Sequence, residues 1–192
     1  LLYDGKPCII GNGVVVDPGA LIEEMELLKS KGLSTDGLMV SDRAHMVMPY
    51  HKLLDGICED NAGEAQIGTT KRGIGPCYTD KAARLGLRMC DLLSDSFGSK
   101  LRSVLAQKNE ILTKIYGREP MDADSMLDEF SAYRKKLAPY ICDTVSICHD
   151  LHRQGKKMLF EGAQGMLLDI DFGTYPFVTS SHPIAGGVSI GT

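Results

Sequence analysis

Residues 67 to 88, IGTTKRGIGPCYTDKAARLGLR, combine residue types suited to holding an anion. Gly73 and Gly75 let the backbone come close to a ligand, and Thr69 and Thr70 offer hydroxyl groups. Between Thr69 and Cys90 five cations, Lys71, Arg72, Lys81, Arg84 and Arg88, face Asp80 alone, a local charge of +4 in a chain of net charge −4. The remainder therefore carries −8. A basic island in an acidic chain suits one compact anionic ligand; a broad nucleic-acid or anionic-membrane surface is not indicated. Neither common phosphate signature is present. No segment reads Gly-x4-Gly-Lys-Ser/Thr, and Gly73-Ile74-Gly75 runs on into Pro76-Cys77-Tyr78 instead of completing a dinucleotide fingerprint.

A helix opening near Asp80 would point its positive dipole end at such an anion. On that helix Lys81, Arg84 and Arg88 fall at i, i+3 and i+7 and share one face. Surface ion pairing is the alternative, since Asp80 lies four residues before Arg84 and Asp91 three after Arg88.

A second stretch, LFEGAQGMLLDIDFGTYPFVTSSHPIAGG, residues 159 to 187, has a comparable texture. An apolar strand ending in Gly162-Ala163-Gln164-Gly165 places an amide at a strand's carboxyl end, where ligands of open α/β sheets bind. Gln164 offers both a donor and an acceptor there, or serves as a turn residue satisfied by backbone. Thr179, Ser180 and Ser181 add hydroxyls ahead of Gly186-Gly187. Asp169 and Asp171, read as strand residues, share one face and suit a magnesium ion or proton transfer; salt bridges or caps are the plainer reading. His149 and His152 stand three apart near Cys148 without a second ligand pair, so no metal site is expected there.

The elements that must position these residues read as α/β. CIIGNGVVVD holds two short β-branched runs around Gly11-Asn12-Gly13, and Asp17-Pro18 opens a helix as cap and first helical residue. Leu21, Ile22, Met25 and Leu28 supply its apolar stripe. GLMVSD reads as a buried strand, and Ala44 to Glu59 as a helix with Pro49 near its start. Residues 98 to 152 read as a helical insert of two helices linked by Gly117 to Asp122, the second bent at Pro139. From Lys157 the α/β pattern returns, so the chain divides into 1–97, 98–152 and 153–192.

The chain has 192 residues, 43% hydrophobic and 24% charged, enough for a sizeable core. No run of about 18 apolar residues and no signal-peptide pattern occurs, so a cytoplasmic location and no membrane partner are expected. The six cysteines are scattered without zinc spacing and read as reduced thiols. The chain begins at Leu1 and stops within GGVSIGT, so a fragment of a longer protein is expected.

Two long segments, in order, resemble the adenylosuccinate synthetase family. GIGPCYTDKAAR, Gly73 to Arg84, is similar to that family's Gly-Ile-Gly-Pro-x-Tyr-x-x-Lys-x-x-Arg signature at every fixed position, and EGAQGMLLDIDFGTYPFVTSS, Glu161 to Ser181, to a second long motif. The similarity extends to IGNGVVVDP and SDRAH. His182-Pro183-Ile184 departs from the family, which usually has asparagine at the first position.

The resemblance implies a largely parallel central sheet related to the phosphate-loop GTPases, with a helical subdomain. It implies GTP-dependent ligation of L-aspartate to IMP, giving adenylosuccinate, with magnesium required. Thr70 and Thr179 would bind IMP near its 5'-phosphate, Gln164 would contact the base and assist 6-phosphoryl formation, and Lys81 is the signature's lysine. Arg84 would reach the IMP phosphate of the other subunit in a homodimer. The GTP-phosphate loop, the catalytic base and the main magnesium ligands of the family lie upstream of these residues, so the chain alone is expected to be inactive. A non-catalytic nucleotide- or phosphate-binding or dimerisation module is the alternative.

Overall fold

The computed structural model describes residues 5–63 and 68–192; Ile67, which opens the basic stretch, lies outside them. Two parallel pairings organise the α/β part. β1 (Cys8–Ile10), β3 (Leu38–Ser41) and β5 (Ile141–Cys142) form a parallel sheet with β3 central, and β2 (Val15–Val16) pairs in parallel with β4 (His45–Met46). Parallel pairing requires crossovers, and α1 (Pro18–Ser30) supplies the one between β1 and β3. α1 starts where the sequence places it. The Asp17 carboxylate accepts the Gly19 and Ala20 amides at 3.1 and 3.2 Å, a cap of about 1 kcal/mol, and Pro18 occupies the first helical position.

The helix expected over 44–59 is instead β4 followed by α2 (Pro49–Asn61). Pro49 lacks an N–H and locks φ, so it can begin a helix but not sit inside one. α3 (Ile74–Ala83) begins seven residues after Ile67, well before Asp80, because left-handed Gly73 (φ 78°) turns the chain into it. It ends at Arg84, also left-handed at φ 62°. Arg88 precedes the short α4 (Met89–Leu93) and forms an antiparallel bridge to His45. Of the three expected cations, only Lys81 therefore lies within a helix.

α5 (Phe97–Lys114) and α6 (Ala123–Leu137) are the two expected helices. Asn109 fixes their connection, its side chain donating to the Met121 carbonyl at 2.9 Å and accepting the Met121 amide at 2.8 Å. Pro139 ends α6 and does not bend it; a 3-10 turn over Ala138–Tyr140 leads directly into β5. α7 (Thr144–Arg153) then packs on β3. Leu38, Val40, Met46, Tyr50, Met89, Leu101, Phe130 and Leu137 belong to one buried cluster joining sheets and helices.

No strand forms over 157–161 among the described residues, contrary to expectation. A strand needs a neighbour for its N–H and C=O groups, and none is paired there. Leu159 is 95% exposed, and Met166, Leu167, Phe172 and Tyr175 are exposed as well. The chain ends in a short helix, α8 (Val188–Gly191).

Candidate functional site

The glycine-rich loop 11–13 forms the floor of the site. Its Asn12 side chain accepts the Ser41 hydroxyl at 2.5 Å, which ties the loop to the end of β3. α3 packs over it: the Tyr78 hydroxyl donates to the Gly13 carbonyl at 2.8 Å, and Lys81 Nζ reaches the Asn12 carbonyl at 3.5 Å. α8 closes the other side, where a β-carbon on Gly11 would stand 2.4 Å from the Gly191 carbonyl oxygen.

The segment 161–181 meets α3 at its N-terminus. A β-carbon on Gly75 would lie 3.3 Å from Ser180 Oγ, so the hydroxyl run 179–181 sits against the first turn of that helix. Ser181 hydrogen-bonds the Tyr78 phenol, whose pKa is raised by burial and by Cys77 and held back by that bond. The two chemically suggestive stretches, about 100 residues apart in sequence, thus converge on one helix end, where unpaired amides and the dipole favour an anion.

Lys81 is half-buried, and burial and the Arg88 cation lower its pKa while Cys77 opposes them. Its ammonium lies 5.5 Å from the Tyr78 ring centroid, a cation–π distance. Beside it His45 is buried, and burial, then Lys81 and Arg88, push its pKa down to about 4, so the imidazole is neutral near pH 7. A neutral histidine adds no repulsion to Lys81.

Arg84 is exposed, and no ion pair holds it among the described residues. The suggested Asp80–Arg84 pair does not form. Asp80 turns inward, where its carboxylate accepts His51 Nε2 at 2.9 Å and Lys108 Nζ at 2.5 Å. His51 Nδ1 accepts the Met48 amide at 2.9 Å, which assigns the proton to Nε2 and makes it the donor to Asp80. Burial would raise the Asp80 pKa, but His51 and Lys108 hold it below its ordinary value. Arg88 is not paired through its side chain with Asp91 either; the Asp91 carboxylate accepts the Arg88 amide at 2.8 Å and Lys100 Nζ at 2.5 Å.

Thr70 lies exposed in the loop before Gly73, and Gln164 is exposed with left-handed φ 74°. Thr179 is half-buried and its amide donates to the Leu168 carbonyl at 2.8 Å. His149 and His152 are exposed on α7, and all six cysteines are free thiols.

Asp169 and Asp171 do not share a strand face. Asp169 caps a turn, its Oδ1 accepting the Asp171 and Phe172 amides at 2.9 and 3.1 Å. His182 Nδ1 lies 3.5 Å from Asp169 and 3.7 Å from Asp171, so His182 completes a cluster with the two carboxylates. The trio does not fit magnesium, which demands an octahedron of oxygens, whereas here one donor is imidazole and one carboxylate oxygen is committed to two amides.

Sequence reasoning missed a stripe on α2. His51, Asp55 and Glu59, at i, i+4 and i+8, face the loop and helix 68–80, and their regular spacing on an amphipathic helix was the available signal.

A sequence profile of the family described as adenylosuccinate synthetase matches residues 1–192. The adenylosuccinate synthetase of Heliobacterium modesticaldum is 57% identical over the whole chain, and that of Acetivibrio thermocellus 56%. The chain spans 45% of the length of each. The solved structure of fully ligated adenylosuccinate synthetase from Plasmodium falciparum superposes with a TM-score of 0.86 at 38% identity, covering 99% of this chain and 44% of that one. With profile, relatives and fold in agreement over essentially every residue, the chain belongs to the adenylosuccinate synthetase family.

Proposed function

We propose that the protein containing this chain ligates L-aspartate to IMP at the expense of GTP, giving adenylosuccinate, GDP and phosphate through 6-phosphoryl-IMP. The observation that carries this reading is the seating of Ser180 against Gly75, which joins the two motifs at the N-terminus of α3. In this reading the 5'-phosphate of IMP lies at that helix end, held by the hydroxyls of Thr70 and Thr179 and by loop amides. Lys81, desolvated and steadied on Tyr78, contributes a positive charge close to the nucleotide. Gln164 presents its amide from an exposed left-handed turn, suited to hydrogen-bonding the 6-oxygen as charge develops on it. Arg84, exposed and unengaged among the described residues, reaches the IMP phosphate of a second subunit in a homodimer.

The division into 1–97, 98–152 and 153–192 is part of this proposal, with β5 and α7 of the middle part returning to the sheet. No helix among the described residues is long and apolar enough to cross a membrane, and a cytoplasmic enzyme is proposed. The magnesium that the reaction implies finds no fitting donor set among the described residues, so no step is assigned to it here. Catalysis is assigned to the complete protein, because this chain covers less than half of its relatives.

The test is adenylosuccinate formation by the purified complete protein. Turnover is expected only when IMP, GTP and aspartate are all supplied, and none from the 192-residue chain alone. Absence of turnover from the complete protein, or turnover by the chain alone, contradicts the proposal.

A further inference from the structure

We infer that α2 is a positioning helix for the IMP-phosphate loop, and that Asp55 and Glu59 set which loop amides face the ligand. This inference rests on reading residues 68–73 as the phosphate loop. Three contacts at successive turns of α2 support it. Glu59 Oε1 accepts the Gly68 and Thr69 amides at 2.7 and 3.3 Å, Asp55 Oδ2 accepts the Gly73 amide at 2.8 Å, and His51 holds Asp80 of α3. All three side chains are buried.

The fit at Gly73 leaves no slack. A β-carbon there would stand 2.7 Å from the Lys52 nitrogen and 2.8 Å from the His51 carbonyl carbon, and φ is 78°. Loop and helix are therefore pressed backbone to backbone, and the Asp55 bond fixes the point of contact. Both ends of the loop are held by carboxylates, which leaves Thr70, Lys71 and Arg72 between them. No hydrogen bond of their amides is formed among the described residues. Left-handed Lys71 (φ 53°), followed two residues on by left-handed Gly73 (φ 78°), bends this stretch, and turns of this kind form concavities in which backbone N–H groups face an anion.

A carboxylate beside a phosphate site is unfavourable as a charge, so its use here is as a hydrogen-bond acceptor for the loop. The amide isosteres retain the acceptor oxygen and lose the charge, which separates the two contributions. In the complete protein, Asp55→Ala and Glu59→Ala should each raise KM for IMP about tenfold, while KM for GTP and aspartate change less than twofold. Asp55→Asn and Glu59→Gln should restore KM for IMP to within about threefold of the parent. Glu59→Ala, in the last turn of α2, decides the matter if Asp55→Ala does not fold. Thr70→Val serves as the reference for the underlying reading. If Thr70→Val weakens IMP but the alanine variants stay within twofold, or the isosteres do no better than alanine, positioning by α2 is overturned. An unchanged KM for IMP in Thr70→Val overturns the phosphate-loop reading instead.

Discussion

Lys108→Met isolates the contact through which α5 supports the signature helix. Lys108 and Asp80 are both buried, with Nζ and Oδ1 2.5 Å apart. At an effective dielectric of about 20 the gross attraction at that distance is roughly 7 kcal/mol, most of it offset by desolvating the two ions. Methionine removes the cation and fills similar space, stranding a buried carboxylate. Removing one partner of such a pair costs about 3 to 5 kcal/mol, and the remaining His51 bond argues for the lower end, about 3 kcal/mol. Asp80→Asn keeps an acceptor for His51, so the double variant should recover about 2 kcal/mol relative to additivity. Native-state hydrogen exchange over residues 74–83 in the complete protein reads the effect where it acts. A loss below about 1 kcal/mol, as for an exposed pair, or strict additivity of the two substitutions, would refute the reasoning.

Arg84→Leu should raise KM for IMP at least about tenfold, roughly 1.4 kcal/mol, with KM for GTP much less affected; an unchanged KM for IMP rejects the phosphate role. Mixed with Gln164→Ala, that variant should regain activity through hybrid dimers, and failure despite proven subunit exchange rejects a contribution across the interface. Gln164→Ala should lower kcat by on the order of 100-fold, as loss of a transition-state donor does, and an unchanged kcat returns Gln164 to a turn role. His45, whose pKa falls from 6.5 to about 4 on folding, makes the unfolded chain the better proton binder between those values, so stability is full above pH 6.5 and declines as pH falls toward 4. The gap corresponds to roughly 3 kcal/mol, and His45→Gln should flatten the urea midpoint against pH by about one proton; an unaltered slope contradicts it.

Short-range signals were the legible ones. Asp17-Pro18 marks the start of α1 because a cap and a proline act within one turn, and the α5–α6 pair shows in its apolar spacing. The start of α3 was missed because Gly73 acts as a left-handed entry only when pressed against α2, a contact between residues far apart in sequence. For the same reason Asp80 looked like a partner for Arg84, four residues on, although Lys108 lies closer in space. Helical spacing then placed Arg84 and Arg88 on one face, while a left-handed turn at Arg84 separates them. The apolar run after Lys157 reads as a strand, yet pairing needs a neighbour that the described residues do not supply. Thr70, Lys81, Gln164 and Thr179 stand out as candidates through their motifs; the polar stripe of α2 does not, since Asp55 and Glu59 look like ordinary surface acids until the loop covers them.

The central claim is that the loop before α3 and the hydroxyl run 179–181 hold one nucleotide phosphate. Equilibrium binding of IMP and of inosine, which lacks the phosphate, to the complete protein and to its Thr70→Val and Thr179→Val variants tests it most directly. Each substitution should weaken IMP about tenfold and leave inosine within twofold. Unaltered IMP binding, or equal weakening of IMP and inosine, would contradict the claim.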